Sequence, residues 1–175
     1  MKHPTQSKVT AYIGLGSNLA HPAEQLKSAR VAINTLAEVD ELAFSHLYTS
    51  SPMGPQDQPD YVNAVMVVTT QLSPFHLLHA LQAIENAQGR VRDGVQRWGA
   101  RTLDLDLLLF GEMQINTTEL TVPHPGLTER AFVMYPLADC APELVIPGKG
   151  RLKDLLPNCP LGALKRLNVD DSTND

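Results

Sequence analysis

The stretch YVNAVMVVTT, residues 61–70, decides the fold of this chain. Its β-branched and apolar residues favour a β-strand, and because the apolar character is nearly continuous, we expect both faces of that strand to be buried. The preceding segment SSPMGPQDQPD, residues 50–60, contains three prolines and one glycine and predicts a loop. A buried strand therefore follows directly on an irregular segment.

Three elements are predicted upstream of that strand. Alternating apolar residues predict a strand over 9–15, which runs into turn-forming residues at 16–18. Apolar residues at helical spacing predict a helix from Pro22 to about Glu38. An imperfect alternation over 42–49 predicts another strand. The chain thus reaches residue 61 in the order strand, helix, strand.

A helix and a strand are predicted downstream. Ser73 and Pro74 are suited to the start of a helix, and Gly89 is suited to its C-terminal end. The sequence LDLDLLLF, residues 103–110, predicts a strand. The full order of strand, helix, strand, strand, helix, strand matches the ferredoxin-like plan. We therefore expect an α+β fold, with an antiparallel sheet and helices packed on one face.

Smaller additions are expected after residue 111. The pattern predicts a short strand pair within 113–122, an apolar segment at 132–137 and an amphipathic piece at 152–156. The polar tail at 168–175 is predicted to be disordered. We expect one domain over 1–175 with a catalytic core at about 9–150, because the chain is too short for two ordinary domains.

Composition and charge limit the partners and the compartment. The net charge of -5, from 14 Lys+Arg and 19 Asp+Glu, disfavours nucleic acid as a partner. No apolar run approaches the ~18 residues of a membrane helix, and the start MKHPTQSK lacks the apolar segment of an export signal. Cys140 and Cys159 form neither a CxxC pair nor a disulfide pattern. We therefore expect a cytoplasmic protein without membrane association.

The segment RTLDLD, residues 101–106, carries the most specific chemical signal. Alternate residues of a strand share a face, so the carboxylates of Asp104 and Asp106 are expected to lie side by side. Asp is disfavoured in strands and neighbouring carboxylates repel, so the pair needs a compensating cation. Mg²⁺ takes such oxygens when it also bridges phosphates. A magnesium site is therefore favoured over an exposed polar face.

Four arginines, Arg90, Arg92, Arg97 and Arg101, fall within twelve residues just upstream of the aspartates. Guanidinium groups bind phosphate oxygens in pairs, so the cluster predicts a polyphosphate site; the alternative is a solvated basic loop. Trp98 lies in the same loop. It is expected either to anchor the loop to the body of the protein or to close over bound nucleotide.

Two further sets of residues are suited to a flat heterocycle and its phosphates. Tyr61 and Asn63 lie two residues apart and share a face, which combines an aromatic ring with an amide; sheet packing is the alternative. His124 in VPHP, followed by Arg130 and Phe132, adds a possible phosphate contact and a second ring. These residues extend the predicted site beyond the aspartates.

Two weaker patterns carry no functional prediction. His76 and His79 have helical i, i+3 spacing, but no nearby acid or cysteine completes a metal site. Gly14 and Gly16 resemble the start of a dinucleotide fingerprint, but Leu19 stands where the third glycine would be. Neither standard phosphate loop is therefore present.

Together, five segments resemble the 6-hydroxymethyl-7,8-dihydropterin pyrophosphokinase family of folate biosynthesis. The segments are YIGLGSNL at 12–19, SSPMGPQDQPDYVNAV at 50–65, GRVR at 89–92, RWGARTLDLDLLLFG at 97–111, and VPHP with ERAF at 122–132. The resemblance implies an enzyme that transfers diphosphate from ATP to the hydroxymethyl group of 6-hydroxymethyl-7,8-dihydropterin, giving AMP and the pterin diphosphate. It also implies two Mg²⁺ ions. We expect the chain to be a monomer.

The same resemblance implies roles for individual residues. Asp104 and Asp106 would bind the metal ions and, with Arg90 and Arg92, form the catalytic set. The residues implied at ATP are Gln82, Glu85, Arg90, Arg92, Trp98, Arg101, His124 and Arg130. The residues implied at the pterin are Ser50, Ser51, Met53, Tyr61, Asn63, Trp98, Asp104 and Phe132.

Two other functions fit part of the pattern. A two-metal nuclease or phosphatase could use Asp104 and Asp106, although the acidic net charge disfavours a nucleic acid substrate. Release of AMP rather than orthophosphate from ATP would distinguish the pyrophosphokinase from that enzyme. A noncatalytic ferredoxin-like module that senses a small ligand would bind without turnover.

Overall fold

The computed structural model describes residues 7–18, 21–50, 60–88 and 103–167. Two short 3-10 turns, at Leu127–Glu129 and Leu156–Asn158, accompany the regular elements. In chain order these elements are β1 (Val9–Ser17), α1 (Pro22–Asn34), β2 (Val39–Phe44), β3 (Tyr48–Ser50), β4 (Tyr61–Thr70), α2 (Pro74–Gln88), β5 (Asp104–Phe110), β6 (Ile115–Asn116), β7 (Thr121–Val122), α3 (Ala131–Cys140), β8 (Val145–Ile146), β9 (Gly150–Arg151), α4 (Leu152–Leu155) and β10 (Lys165–Arg166).

The main sheet has six strands, all paired antiparallel. Its order is β10-β3-β4-β1-β5, and β2 pairs with the other half of β4. The predicted ferredoxin-like core is confirmed, and β4 has the predicted bounds and is buried along nearly its whole length. The strand with the most continuous apolar character therefore lies in the interior of the sheet, as its sequence predicts.

The prediction of one strand over 42–49 is wrong, because the chain breaks there into β2 and β3. Ser45 lies at the break, where its backbone N–H donates to Val65 O at 2.9 Å and its hydroxyl accepts from Val65 N at 2.8 Å. Both partner atoms belong to Val65 of β4. This tertiary pairing interrupts the strand at Ser45, whereas the local sequence shows only an imperfect alternation there.

Helix α1 ends at Asn34, four residues before the predicted end near Glu38. Thr35 closes the helix, since its hydroxyl donates to Ala32 O at 2.7 Å. Glu38 then takes a left-handed backbone conformation with φ of 65° and turns the chain into β2. Helix α2 starts as predicted, because the Ser73 hydroxyl accepts from His76 N at 3.2 Å.

Helices α1 and α2 cover one face of the sheet, which we call the α1/α2 face. Alternate residues of β1, including Ala11, Ile13 and Leu15, point into it and are at most 3% exposed. They pack against Leu26 of α1 and Leu81 of α2. Burial of these side chains provides the main hydrophobic stabilisation of the core.

The additions after residue 110 cover part of the opposite face, which we call the α3 face. Val65, Leu108, Met134 and Leu137 form a second buried cluster there. The short strand pair expected within 113–122 is confirmed as β6 and β7, and the apolar segment at 132–137 lies in α3. The tail at 168–175 lies outside the described residues. Within the described ranges, no helix is long and apolar enough to cross a membrane.

Candidate active site

The two aspartates of β5 lie next to each other on the α3 face. Asp104 is opposite Gly16 of β1 and Asp106 is opposite Gly14, so both carboxylates leave the sheet on the same side. Leu105 between them is buried in the core of the α1/α2 face. Asp104 is half-buried and Asp106 is exposed. The expected pairing of the carboxylates on one face is therefore what the fold provides.

Gly14 and Gly16 leave the sheet bare beside the aspartates. A Cβ atom on Gly16 would lie 3.1 Å from Oδ1 of Asn63, and one on Gly14 would lie 3.4 Å from the Leu108 side chain. Asn63 is opposite Gly16 on β4, so bare backbone separates its amide from Asp104. Sequence reasoning missed this role, although a glycine inside a strand often marks a close approach of another group.

A cavity of about 180 Å³ opens on this bare backbone; we call it the ring chamber. Tyr61 and Phe132 contribute aromatic rings to its wall, and both aspartates line it. Asn63 is only 5% exposed, and its side-chain Nδ2 donates to the Ser50 hydroxyl at 2.7 Å. The chamber thus combines two rings with a fixed amide, which suits a flat polar heterocycle.

A second cavity, of about 370 Å³, lies on the other side of the aspartates; we call it the polar chamber. Asp104 and Asp106 line this cavity as well, so they stand at the boundary between the two chambers. Its other lining residues are Leu78, Gln82, Glu85, Leu105, Leu107, Thr118, Glu119, Leu120, Thr121, His124 and Pro125. Hydroxyl, amide, carboxylate and imidazole groups together suit a ligand with many polar atoms.

Two residues of the polar chamber are fixed to β5 by its backbone. The Glu85 carboxylate on α2 accepts from Leu105 N at 2.7 Å. The backbone N–H of His124 donates to Leu108 O at 2.9 Å, and the Nδ1 atom of its ring lies 2.7 Å from Pro125 O. Both contacts attach the chamber wall to the strand that carries the aspartates.

The structure brings together most of the predicted site residues that it describes. Gln82, Glu85 and His124, which are predicted at the nucleotide, line the polar chamber. Arg130, expected at the phosphates, lines the ring chamber, with its guanidinium carbon 5.8 Å from the centre of the Phe132 ring. The predicted residues outside the described ranges are Ser51, Met53, Arg90, Arg92, Trp98 and Arg101.

The aspartates supply an incomplete ligand set for a metal ion. Within residues 7–18, 21–50, 60–88 and 103–167, no group of three or more His, Cys, Asp or Glu side chains is suited to hold one. Mg²⁺ is usually bound by one or two carboxylates, with waters and substrate phosphates completing its six ligands. Two carboxylates facing open cavities therefore fit Mg²⁺ that arrives with a polyphosphate.

Comparison with known families finds a family model that matches most of the chain. The model of the 7,8-dihydro-6-hydroxymethylpterin-pyrophosphokinase (HPPK) family matches residues 12–142. The chain belongs to this family. The matched region contains most of β1, every element from α1 to α3, and every predicted site residue, so family membership extends to both chambers and to the aspartates between them.

Two relatives of the HPPK family are similar over most of their length. The 2-amino-4-hydroxy-6-hydroxymethyldihydropteridine pyrophosphokinase of Pseudomonas aeruginosa is 53% identical over 156 residues, which cover 89% of this chain and 95% of that protein. The enzyme of the same name from Haemophilus influenzae is 51% identical over 148 residues, covering 85% of this chain and 91% of that protein.

A solved structure of an HPPK protein has the same fold. It is wild-type Plasmodium falciparum HPPK-DHPS with pteroate, which superposes with a TM-score of 0.69 at 14% sequence identity. The match covers 87% of this chain and 42% of the longer Plasmodium chain, so this chain spans less than half of that protein. At this identity the comparison supports the fold alone.

Other titratable residues lie apart from the predicted chemistry. His79, which has little reason to bind a metal, contacts the carboxylate of Glu119 at the rim of the polar chamber. Cys140 and Cys159 are free thiols. Burial, with a smaller effect of the nearby Asp139 carboxylate, raises the pKa of Cys140 to about 11. That thiol is therefore protonated at neutral pH and unsuited to act as a nucleophile.

Proposed function

We propose that the reaction of the HPPK family takes place where the two chambers meet, with Asp104 and Asp106 at its centre. The chain is an ATP-dependent diphosphokinase of folate biosynthesis, which transfers diphosphate from ATP to the hydroxymethyl group of 6-hydroxymethyl-7,8-dihydropterin. The products are AMP and the pterin diphosphate. The observation that supports this location is that both carboxylates line both chambers.

The pterin binds in the ring chamber under this proposal. Tyr61 and Phe132 stack on its two faces, and Asn63 and Ser50 read its edge by hydrogen bonds. The low exposure of Asn63 and its bond to Ser50 support this role, because a fixed amide costs little entropy when it binds a ligand. Ser51, Met53 and Trp98 complete the pterin site.

ATP binds in the polar chamber, with its phosphates directed at the aspartates. Gln82 and Glu85 lie near the nucleoside, and His124 contacts the phosphates. The remaining residues that we propose at the phosphates and the nucleotide are Arg90, Arg92, Trp98, Arg101 and Arg130. Arg130 reaches the phosphates from the ring chamber, which shares the aspartates with the polar chamber. Guanidinium groups here balance the phosphate charge that the acidic protein would otherwise repel.

Asp104 and Asp106 would hold Mg²⁺, and we propose two ions because the carboxylates face a cavity on each side. When bound, Mg²⁺ neutralises phosphate charge and orients the diphosphate for displacement. Asp104, the less exposed of the pair, orients the substrate hydroxyl, while Asp106 faces the polyphosphate. The aspartates therefore contact both substrates, Asp104 at the hydroxyl group and Asp106 at the magnesium-bound polyphosphate.

The transfer step is a displacement at phosphorus. The hydroxymethyl oxygen forms a bond to the β-phosphorus and releases its proton to solvent. The bond between the β-phosphorus and the oxygen that bridges it to the α-phosphorus breaks, and AMP leaves with that oxygen. The protein forms no covalent intermediate. Its residues position the two substrates, and Arg90 and Arg92 stabilise the negative charge that develops on the phosphate. Positioning and charge stabilisation account for most of the rate enhancement in phosphoryl transfer.

One assay tests the proposal directly. The purified chain with ATP, magnesium and 6-hydroxymethyl-7,8-dihydropterin is expected to release AMP and pterin diphosphate in equal amounts. Omission of the pterin is the matched control and should stop AMP release. Orthophosphate as the product, or AMP release that does not need the pterin, would instead favour a phosphatase or nuclease. Pterin binding without turnover would favour a sensor.

We also propose that the chain works in the cytoplasm as a monomer of one domain, residues 1–175. This chain supplies rings and an amide to the ring chamber and polar groups to the polar chamber, so the proposed site needs no residue of a second molecule. Strand β10 pairs with β3 of the main sheet, which supports one domain. The free thiols support a reducing compartment. Light scattering of the purified chain tests the monomer.

A further inference from the structure

The C-terminal strand β10 joins the sheet beside the ring chamber. Lys165 pairs with Thr49 and Arg166 with Tyr48 of β3, and Leu167 N donates to Leu47 O at 2.7 Å. Strand β3 has only three residues and ends at Ser50, which lines the ring chamber. A three-residue strand gains much of its order from its neighbours, so β10 holds the backbone that carries Ser50.

A carboxylate near the end of α3 connects this strand pair to the opposite wall of the chamber. Asp139 Oδ2 accepts from the Tyr48 hydroxyl at 2.6 Å and from His46 N at 3.4 Å. Its other oxygen lies 3.5 Å from the Arg166 guanidinium. We call Tyr48, Asp139 and Arg166 the clasp. It joins β3 and β10 to α3, the helix that carries Phe132.

The clasp also touches the floor of the chamber through Tyr48. This side chain is 6% exposed and lies opposite Asn63 on β4, on the same face of the sheet. Asn63 in turn donates to Ser50. Burial, and secondarily the bond to Asp139, raises the pKa of Tyr48, so its hydroxyl stays protonated and donates at neutral pH. The Tyr48 ring therefore has a fixed position beside the amide.

We propose that Tyr48, Asp139 and Arg166 are positioning residues, through which β10 and α3 set the ring chamber for the pterin. None of the three lines either chamber, so they act through Asn63, Ser50 and Phe132. The inference rests on the proposed assignment of the ring chamber to the pterin. It assigns the C-terminal part of the chain a role in substrate affinity in addition to any role in stability.

The test compares two substitutions of tyrosine by phenylalanine. Tyr48→Phe removes the hydroxyl bonded to Asp139, and Tyr135→Phe removes a hydroxyl that donates to Cys159 O at 2.9 Å, away from both chambers. We expect Tyr48→Phe to raise the Kd and KM for the dihydropterin about threefold to tenfold, with the KM for ATP unchanged. Tyr135→Phe should change neither constant, even if both variants unfold at a lower temperature.

Substitutions of Arg166 provide a second test, and because the Arg166 side chain is 56% exposed, they do not disturb the buried core. Arg166→Met should raise the dihydropterin Kd about twofold to threefold, because its ion pair is partly exposed. Arg166→Lys should restore most of the affinity, and Lys165→Met on the same strand should have no effect. Since Tyr48 and Arg166 act through one carboxylate, the double variant should lose less affinity than the product of the single losses.

The outcomes separate this inference from the proposed function. Direct calorimetric binding of the dihydropterin does not require turnover, so it tests the clasp even if the parent chain releases no AMP. An unchanged dihydropterin Kd in Tyr48→Phe, or an equal rise of the Kd in Tyr135→Phe, would overturn the proposed positioning role of the clasp. A parent chain that binds no dihydropterin would overturn both the clasp and the proposed pterin site.

Discussion

The two faces of the central sheet are built from the same strands but carry different kinds of residue. On the α1/α2 face, Leu105 and Leu107 are at most 4% exposed and pack in the core. On the α3 face, the adjacent Asp104 and Asp106 stand in open cavities. One position along β5 thus separates a residue that stabilises the fold from one that serves chemistry, because side chains of a strand alternate between faces.

The largest expected effect is on activity and comes from the α3 face. Asp106→Asn keeps the size of the side chain but removes its charge, so the site loses one of the two carboxylates that we propose to bind Mg²⁺. We expect AMP formation to fall about a hundredfold to a thousandfold or more, as for loss of a preorganised electrostatic contact. The melting temperature should shift by less than about 2 °C.

The control for this substitution is Asp154→Asn, an equal change at an exposed residue of α4. It should leave both activity and melting temperature near the parent values. Near-normal turnover of Asp106→Asn with magnesium would contradict the metal assignment and the contrast between the two faces.

The reverse effect is expected one residue further along the strand. Leu107 is 2% exposed, so Leu107→Ala should leave a cavity and lower the free energy of unfolding by about 2–5 kcal/mol. Urea denaturation measures this loss. Leu107 lines the polar chamber but not the ring chamber, so the Kd for the dihydropterin should stay near the parent value wherever the variant is folded. A large rise in that Kd without unfolding would show that the core of the α1/α2 face and the ring chamber are not independent.

A smaller effect is expected where the sheet itself forms the chamber floor. Gly16→Ala would place a Cβ 3.1 Å from Oδ1 of Asn63, which must move. We expect the KM for the dihydropterin to rise about tenfold, while the KM for ATP changes little. A tenfold rise corresponds to about 1.4 kcal/mol, which lies within the usual free-energy cost of overpacking a well-packed site. Gly14→Ala is the comparison, because its Cβ would lie 3.4 Å from the Leu108 side chain, which is an ordinary van der Waals contact. Equal effects of the two substitutions would contradict the role of Asn63.

The smallest effect concerns pH and an ion pair of α1 and β2. Arg30 Nε donates to Glu41 Oε1 at 2.7 Å, and this bond holds the pKa of Glu41 below its ordinary value of about 4.3. A lowered folded pKa gives stability that is present above about pH 4.3 and is lost as the pH falls through the folded pKa. Since Arg30 is 42% exposed, solvent screening keeps the contribution below about 1 kcal/mol.

Acid unfolding of Glu41→Gln tests this contribution. The variant should lose less stability than the parent on acidification below about pH 4.3, with unchanged activity at pH 7. Glu143→Gln is the control, because Glu143 pairs with Lys153 but is 82% exposed. A parent-like pH dependence in Glu41→Gln would show that the pair contributes nothing measurable.

The sequence predicted what short-range patterns determine. The alternation of Asp104 and Asp106 with leucines placed both carboxylates on one face, and the continuous apolar character of residues 61–70 identified the buried strand. Tyr61, Asn63 and Phe132 were predicted at a heterocycle, and the fold brings them to one chamber. These features depend on residue type and on a period of two.

Features that depend on distant partners could not be predicted. The break at Ser45 results from two hydrogen bonds to β4, and Tyr48 and Asp139 of the clasp are 91 residues apart in the chain. Gly16 did carry a signal, since glycine inside a strand is unfavourable unless something approaches it closely. Only the pairing of β1 with β4 shows that the group close to Gly16 is the side chain of Asn63.

The hydrogen bonds on the outer side of β5 have a consequence for solubility. Within the described chain, β5 ends the main sheet, and an open sheet end invites pairing with strands of other molecules. Glu85 occupies the N–H of Leu105, and His124 occupies the carbonyl of Leu108. The Glu85 side chain, which we place near the nucleoside, and the backbone of His124 therefore also block intermolecular strand addition. Replacement of the Glu85 side chain should promote aggregation as well as weaken catalysis.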